Sequence, residues 1–181
     1  MLKWLLRRQL DRFARRWDYD ARYMREVLDA DLGAFLRFAP IQGMTGYCRG
    51  VPRAGWYAAK IVTVLDEDCG PCTQLVVKMA EADGVMPEVL QAILDGDVAA
   101  MPDDVALAWR FADAVRRRSA DAEELRQAVI GSWGMRGLIS LAYGITTARM
   151  YPTLKAALGH AQTCQRVTIG GASRPVQRRA A

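Results

Sequence analysis

The pair Cys69-Gly70-Pro71-Cys72 sits where a helix begins, and that junction constrains the chain more than any other feature. The stretch Cys72-Thr73-Gln74-Leu75-Val76-Val77-Lys78-Met79-Ala80 follows with a helical apolar pattern, and Pro71 suits a first helical turn. Two thiols three residues apart at such a start lie on one face and can close a disulfide, the geometry that reversible two-electron chemistry needs. A structural pair, or half of a zinc site, would use the same spacing. Zinc would have to draw its other ligands from distant Cys48, Cys164 and His160.

The rest of the chain carries helical periods broken by Gly and Pro. Leu2, Leu6, Leu10, Phe13 and Trp17 form an apolar stripe opposite Lys3, Arg7, Arg8, Arg12, Arg15 and Arg16, which predicts an amphipathic helix over 2–17. A second helix is expected from Asp20 to Phe38. Pro40, Gly43, Gly46, Gly50 and Pro52 then predict a loop, so residues 1–40 read as an N-terminal extension and 41–54 as a linker. A helical core follows over 55–160. Its elements run from Gly55 to Leu65, Pro71 to Ala82, Pro87 to Leu94, from Pro102 to Arg118, from Asp121 (as cap) to Ile130, and from Trp133 to Leu158 with a kink at Pro152. Only Lys60-Ile61-Val62-Thr63-Val64-Leu65 also reads as a strand. Residues 161–181, with Gly170-Gly171, read as a flexible basic tail.

Apolar residues at 51% and charged residues at 25% describe a globular domain with a sizeable core. The net charge of +5 is concentrated at the ends: residues 1 to 25 hold one Lys and seven Arg against three Asp. This predicts a solvated or subunit-packed helix face, or weak membrane-surface contact through residues 1–17, and no nucleic-acid partner. No apolar run is long enough to span a bilayer, and the N-terminus is too short and too Arg-interrupted for a signal peptide, so a cytoplasmic location is expected. A reducing compartment would leave the dithiol free to cycle.

Cys-Gly-Pro-Cys is also the filling found in thioredoxins, and a strand over Lys60–Leu65 would suit that fold. The segments after Cys72 are helix-period, and Asp68 stands where thioredoxins place Trp. An all-α fold is therefore expected. Within it, the chain resembles the carboxymuconolactone decarboxylase and alkylhydroperoxidase D-like superfamily over roughly Gly55 to Gly159. The resemblance rests on the helix leading to Cys69 and Cys72, on Ala80-Glu81-Ala82-Asp83-Gly84-Val85, on Ala106-Leu107-Ala108-Trp109-Arg110-Phe111-Ala112, and on the apolar helix Leu138 to Leu158. It implies a helical bundle that assembles into homo-oligomeric trimers or hexamers. It also implies a thiol pair that reduces a small peroxide or disulfide at the expense of a thiol electron donor, with no cofactor or metal. At the positions where the peroxidase members carry a relay of His and Glu, this chain carries Val76 and Tyr57.

A free thiol near pKa 8.5 is a weak nucleophile, and the helix N-terminus after Pro71 favours its thiolate. Asp66, Glu67 and Asp68 oppose this by like charge. Glu67, the longest of the three, is the candidate base beside Cys69 and Cys72. The resemblance implies that Cys72 attacks and Cys69 resolves, whereas position alone favours the reverse. Tyr143, Arg149 and Tyr151 are placed to line a pocket or an interface, or simply to pack. The rival to an oxidoreductase is a non-catalytic helical assembly or binding protein, and a lactone decarboxylase-like enzyme comes third.

Overall fold

The computed structural model describes residues 1–161 and 166–175, so Cys164 and the chain beyond 175 lie outside the described residues. The fold is all-α apart from one small hairpin. Its helices are α1 (Leu2–Trp17), α2 (Arg22–Ala30), α3 (Leu32–Phe38), α4 (Ile41–Thr45), α5 (Arg53–Asp66), α6 (Gly70–Ala82), α7 (Pro87–Asp95), α8 (Asp103–Arg117) and α9 (Ala122–Ala157), with a 3-10 turn at Val98–Ala100.

α5 is the axis of the bundle. It packs against α6, α8 and α9 at once, and every residue from Gly55 to Val64 is buried. The β-branched run that resembles a strand is a helix, buried around its circumference from Gly55 to Val64. Ala58, Ala59, Ala108 and Ala112 are fully buried in the same cluster and keep the helices close. A Cβ on Gly55 would come 3.1 Å from the Asp104 carbonyl and 3.3 Å from Ala108 Cβ. The α5–α8 contact thus leaves no room for a larger side chain.

Several boundaries differ from expectation. The span from Asp20 to Phe38 is two helices, because Asp31 is extended (φ −150, ψ 110) and its carboxylate caps α3 by accepting from Gly33 N at 2.6 Å. The expected linker contains α4, which packs on α9. The loop after it is pinned where Arg49 N donates to Ser140 Oγ at 2.9 Å and Ser140 Oγ donates to the Arg49 carbonyl at 2.8 Å. The expected separation at Trp133 is a break inside α9 at Gly134 (φ 65, ψ −176), a conformation for which glycine is suited. Pro152 lies within the final turns and is buried. Asp121 does sit at the N-cap of α9, yet its side chain makes no cap bond and accepts instead from Ser119.

The tail expectation is overturned over residues 166–175. β1 (Arg166–Ile169) and β2 (Ala172–Pro175) pair antiparallel, Ile169 opposite Ala172. The two-residue turn is Gly170-Gly171, both at positive φ (55 and 81). Val167 and Ile169 bury one face, and Gln74 on α6 clamps Thr168, donating to its carbonyl at 3.0 Å and accepting from its N–H at 2.7 Å.

A second apolar cluster joins α1, α2 and α3 to the bundle. Leu10, Tyr19, Tyr23, Met24, Leu28 and Phe35 are its buried members, and Leu75 of α6 and Leu154 of α9 pack against it. α1 closes at Asp18, which adopts the left-handed conformation (φ 47) that Asp tolerates better than most residues. Lys78 on α6 fixes that turn by donating to the Trp17 carbonyl at 3.0 Å and to Asp18 Oδ2 at 3.1 Å. The next residue, Tyr19, is thereby directed inward toward α6. No helix among the described residues is long and apolar enough to cross a membrane.

Candidate active site

Cys69 is the N-cap of α6 and Cys72 lies in its first turn, as the Gly-Pro filling requires. Their Cα atoms are 5.3 Å apart and the two sulfurs are joined as a disulfide. Thr73 locks the turn: its N–H and its Oγ1 both donate to the Cys69 carbonyl, at 2.9 and 3.0 Å. Both cysteines are buried, 4% and 5% exposed, so a reactant has to reach them through the interior.

A cavity of about 420 Å³ provides that route, a size typical of sites for small organic molecules. Of the two bridged residues, Cys72 lines it. The hydroxyl of Tyr19 lies 3.8 Å from Cys72 Sγ, and burial raises the Tyr19 pKa, so this hydroxyl keeps its proton and can donate to sulfur. One wall comes from α1 and α2, through Leu10, Phe13, Trp17 and Met24; the opposite wall comes from α5, α6 and α9, through Trp56, Tyr57, Val76 and Tyr151. The N-terminal extension therefore encloses the same cavity as the core.

Polar groups cluster on the α5 side. Tyr57 donates to Asp83 Oδ2 at 2.7 Å and Arg53 reaches the same oxygen at 3.2 Å. Burial, and then the Asp83 acceptor, raise the Tyr57 pKa. Lys60, 3% exposed, donates to the Thr45 carbonyl at 3.2 Å and lies 4.0 Å from the centre of the Trp56 ring. Burial lowers its pKa to about 8. Behind Tyr19, the Lys155 ammonium sits 5.1 Å from that ring and 5.7 Å from the Tyr23 ring, buried and without a hydrogen-bond partner among the described residues. Its pKa is lowered by burial.

Two of the three acids upstream of the pair are engaged with arginines. Asp66 accepts from Arg116 at 2.5 Å. Glu67, the candidate base, accepts from Arg149 Nε at 2.8 Å and from Thr153 Oγ1 at 3.4 Å, which ties the end of α5 to α9. The arginines offset the repulsion these carboxylates would exert on a thiolate. Tyr151 does line the cavity; Tyr143 instead stacks edge-on with Tyr47 at the surface. His160 pairs with Glu26 at 2.8 Å. Among the described residues no cluster of His, Cys, Asp or Glu could hold a metal ion.

Tyr19, Lys60, Asp83 and Lys155 went unmarked by sequence reasoning. Lys60 carried one signal, a lone cation inside an otherwise apolar run; the other three are brought in only by long-range packing. No family model, curated protein or solved structure matches the chain.

Proposed function

We propose that this chain is a thiol–disulfide oxidoreductase of alkylhydroperoxidase D-like type, with Cys72 as the attacking sulfur and Cys69 as the resolving one. The observation that carries this is the bridged pair at the start of α6, with Cys72 in the wall of a cavity and a protonated tyrosine hydroxyl 3.8 Å from its sulfur. In the reduced protein the helix-end amides and Tyr19 favour the Cys72 thiolate. That thiolate attacks one sulfur of a substrate disulfide, forming a mixed disulfide and releasing one substrate thiolate. Cys69, deprotonated, then attacks Cys72 sulfur and releases the second, leaving the Cys69–Cys72 bridge. Two protein thiols are oxidised and one external disulfide is reduced. An external thiol or dithiol donor reverses the change.

Hydroperoxide reduction is the lesser activity. There Cys72 takes the terminal oxygen as a sulfenic acid, the alcohol leaves, and Cys69 displaces water. Tyr57 and Val76, which stand at the positions of the resembled relay, line the cavity with Cys72, which favours the same kind of site with altered proton handling. A reducing cytoplasmic setting and a homo-oligomeric trimer or hexamer belong to this proposal. Leu2, Trp4, Leu5 and Met135 supply exposed apolar surface for assembly.

Stoichiometric oxidation of the reduced chain by a small aromatic disulfide is the test. One substrate equivalent should be consumed per chain with formation of the internal bridge, and Cys69→Ser or Cys72→Ser should each abolish turnover. Undiminished turnover in either variant contradicts the proposal.

A further inference from the structure

Lys60 is a buried cation to which no carboxylate is bonded among the described residues. It projects from α5, the helix buried on every face. Its ammonium has three donors. One reaches the Thr45 carbonyl at 3.2 Å, and the charge rests against the rings of Trp56 and Tyr57, 4.0 and 5.9 Å from their centres. Lys60 lines the cavity, and so do Thr45, Trp56 and Tyr57, the three residues against which its ammonium rests. The stem fits because α9 has glycine where it passes: a Cβ on Gly144 would come 3.2 Å from Lys60 Cγ.

Buried charges are ordinarily paired, because an isolated ion loses hydration that nothing replaces. The groups facing Lys60 do not replace it. Asp83, at the end of α6, is already bound by Tyr57 and Arg53. Cys48, from the loop after α4, has its own pKa raised by burial and is therefore neutral. Tyr151 on α9 is likewise held protonated by burial. The cavity wall carries three cations, Arg16, Arg53 and Lys60, against one carboxylate, Asp83, and both arginines are exposed at its rim. The remaining wall is mostly aromatic and aliphatic.

We propose that the cavity binds an apolar organic carboxylate, its anionic head against Lys60 and its apolar body in the aromatic space that extends to Cys72. A single compact ammonium suits a monoanion, and the ring-lined walls suit a body of about ten to fifteen heavy atoms, within the usual range for cavities of this size. The ligand is thereby also the substrate class of the dithiol: an organic disulfide or hydroperoxide bearing a carboxylate. That last step rests on the oxidoreductase proposal above; the binding itself does not.

Calorimetric titration of the oxidised full-length chain with 2-naphthoate and with its neutral counterpart, 2-naphthalenemethanol, tests this. At pH 7 the acid should bind about ten-fold or more tightly than the alcohol, the scale of one charge-assisted hydrogen bond. The preference should fade between pH 7 and 9.5 as Lys60 loses its proton, while alcohol affinity stays level. It should vanish in Lys60→Met and persist in Lys60→Arg. Equal affinities at pH 7, no naphthoate binding, or a preference unchanged at pH 9.5 overturns the assignment; the pH series needs no variant to fold. Loss of binding with intact disulfide turnover removes this inference alone, whereas binding with inert sulfurs removes the oxidoreductase proposal alone.

Discussion

Residues 1–45 and residues 53–157 are both helical, yet they bury apolar surface in different ways. In the bundle, small side chains on α5 and α8 bring backbones together, and Gly55, Ala58, Ala59, Ala108 and Ala112 leave no space between them. In the N-terminal layer the buried residues are mostly large, Leu10, Tyr19, Tyr23, Met24, Leu28 and Phe35, with Phe13 and Trp17 beside them. The cavity holding Cys72 lies along the seam between the two. The bundle makes the scaffold, and the N-terminal layer laid over it completes the place for a reactant.

Four experiments break or sharpen this contrast. The largest effect is expected at the sulfur on the seam. Treated with a small disulfide, reduced Cys69→Ser should accumulate a mixed disulfide at Cys72, while Cys72→Ser should accumulate none at Cys69; intact-mass spectrometry reads both. Next, Leu28→Ala and Leu141→Ala remove fully buried side chains from the two clusters, and each should cost about 2–5 kcal/mol. Leu28→Ala should raise amide exchange in α2 and α3 while α5 stays protected, whereas Leu141→Ala should loosen α5 as well. Equal loss of protection in α5 from both variants would erase the distinction between layer and scaffold.

A smaller effect concerns Lys60. Its proton leaves near pH 8 in the folded chain and near 10.5 in the unfolded one, so the folded state binds fewer protons between those values and gains stability as pH rises through that window. Buried Tyr19, Tyr23, Tyr57 and Tyr151, all with raised pKa values, act oppositely above about pH 10, where only the unfolded chain ionises them. Denaturant unfolding of wild type minus Lys60→Met, from pH 7 to 10, isolates the lysine. The difference should shift in favour of wild type, and a flat difference would mean that Lys60 is not desolvated. Smallest is Gln74→Ala, which frees the hairpin from α6 and should cost about 1 kcal/mol for two exposed hydrogen bonds, with faster exchange at Thr168.

Much of the scaffold was legible because its punctuation is local. Pro71, Pro87 and Pro102 start helices, and such signals act within a turn. The pair Cys69 and Cys72 was legible for the same reason. Residues 60–65 suit a strand by composition as well as a helix, and burial holds them in the expected helix. A misreading came where tertiary context reversed a local cue. Gly170-Gly171 suggested a loose tail, yet two positive-φ residues are also what a tight hairpin needs, and Val167 and Ile169 supply the face that docks it. Of the cavity, Tyr151 and Cys72 were marked along the chain, and its N-terminal wall was not. Tyr19 and Cys72 are 53 positions apart, and their meeting depends on the turn at Asp18 and its clamp by Lys78.

The most direct measurement is competitive alkylation of the reduced, folded chain with iodoacetamide near neutral pH, mapped by peptide mass. Cys72 should be modified first and faster than free cysteine, with Cys48 slow because burial raises its thiol pKa. Modification of Cys69 ahead of Cys72, or protection of both while the fold stays intact, would contradict a nucleophilic sulfur opening on the cavity.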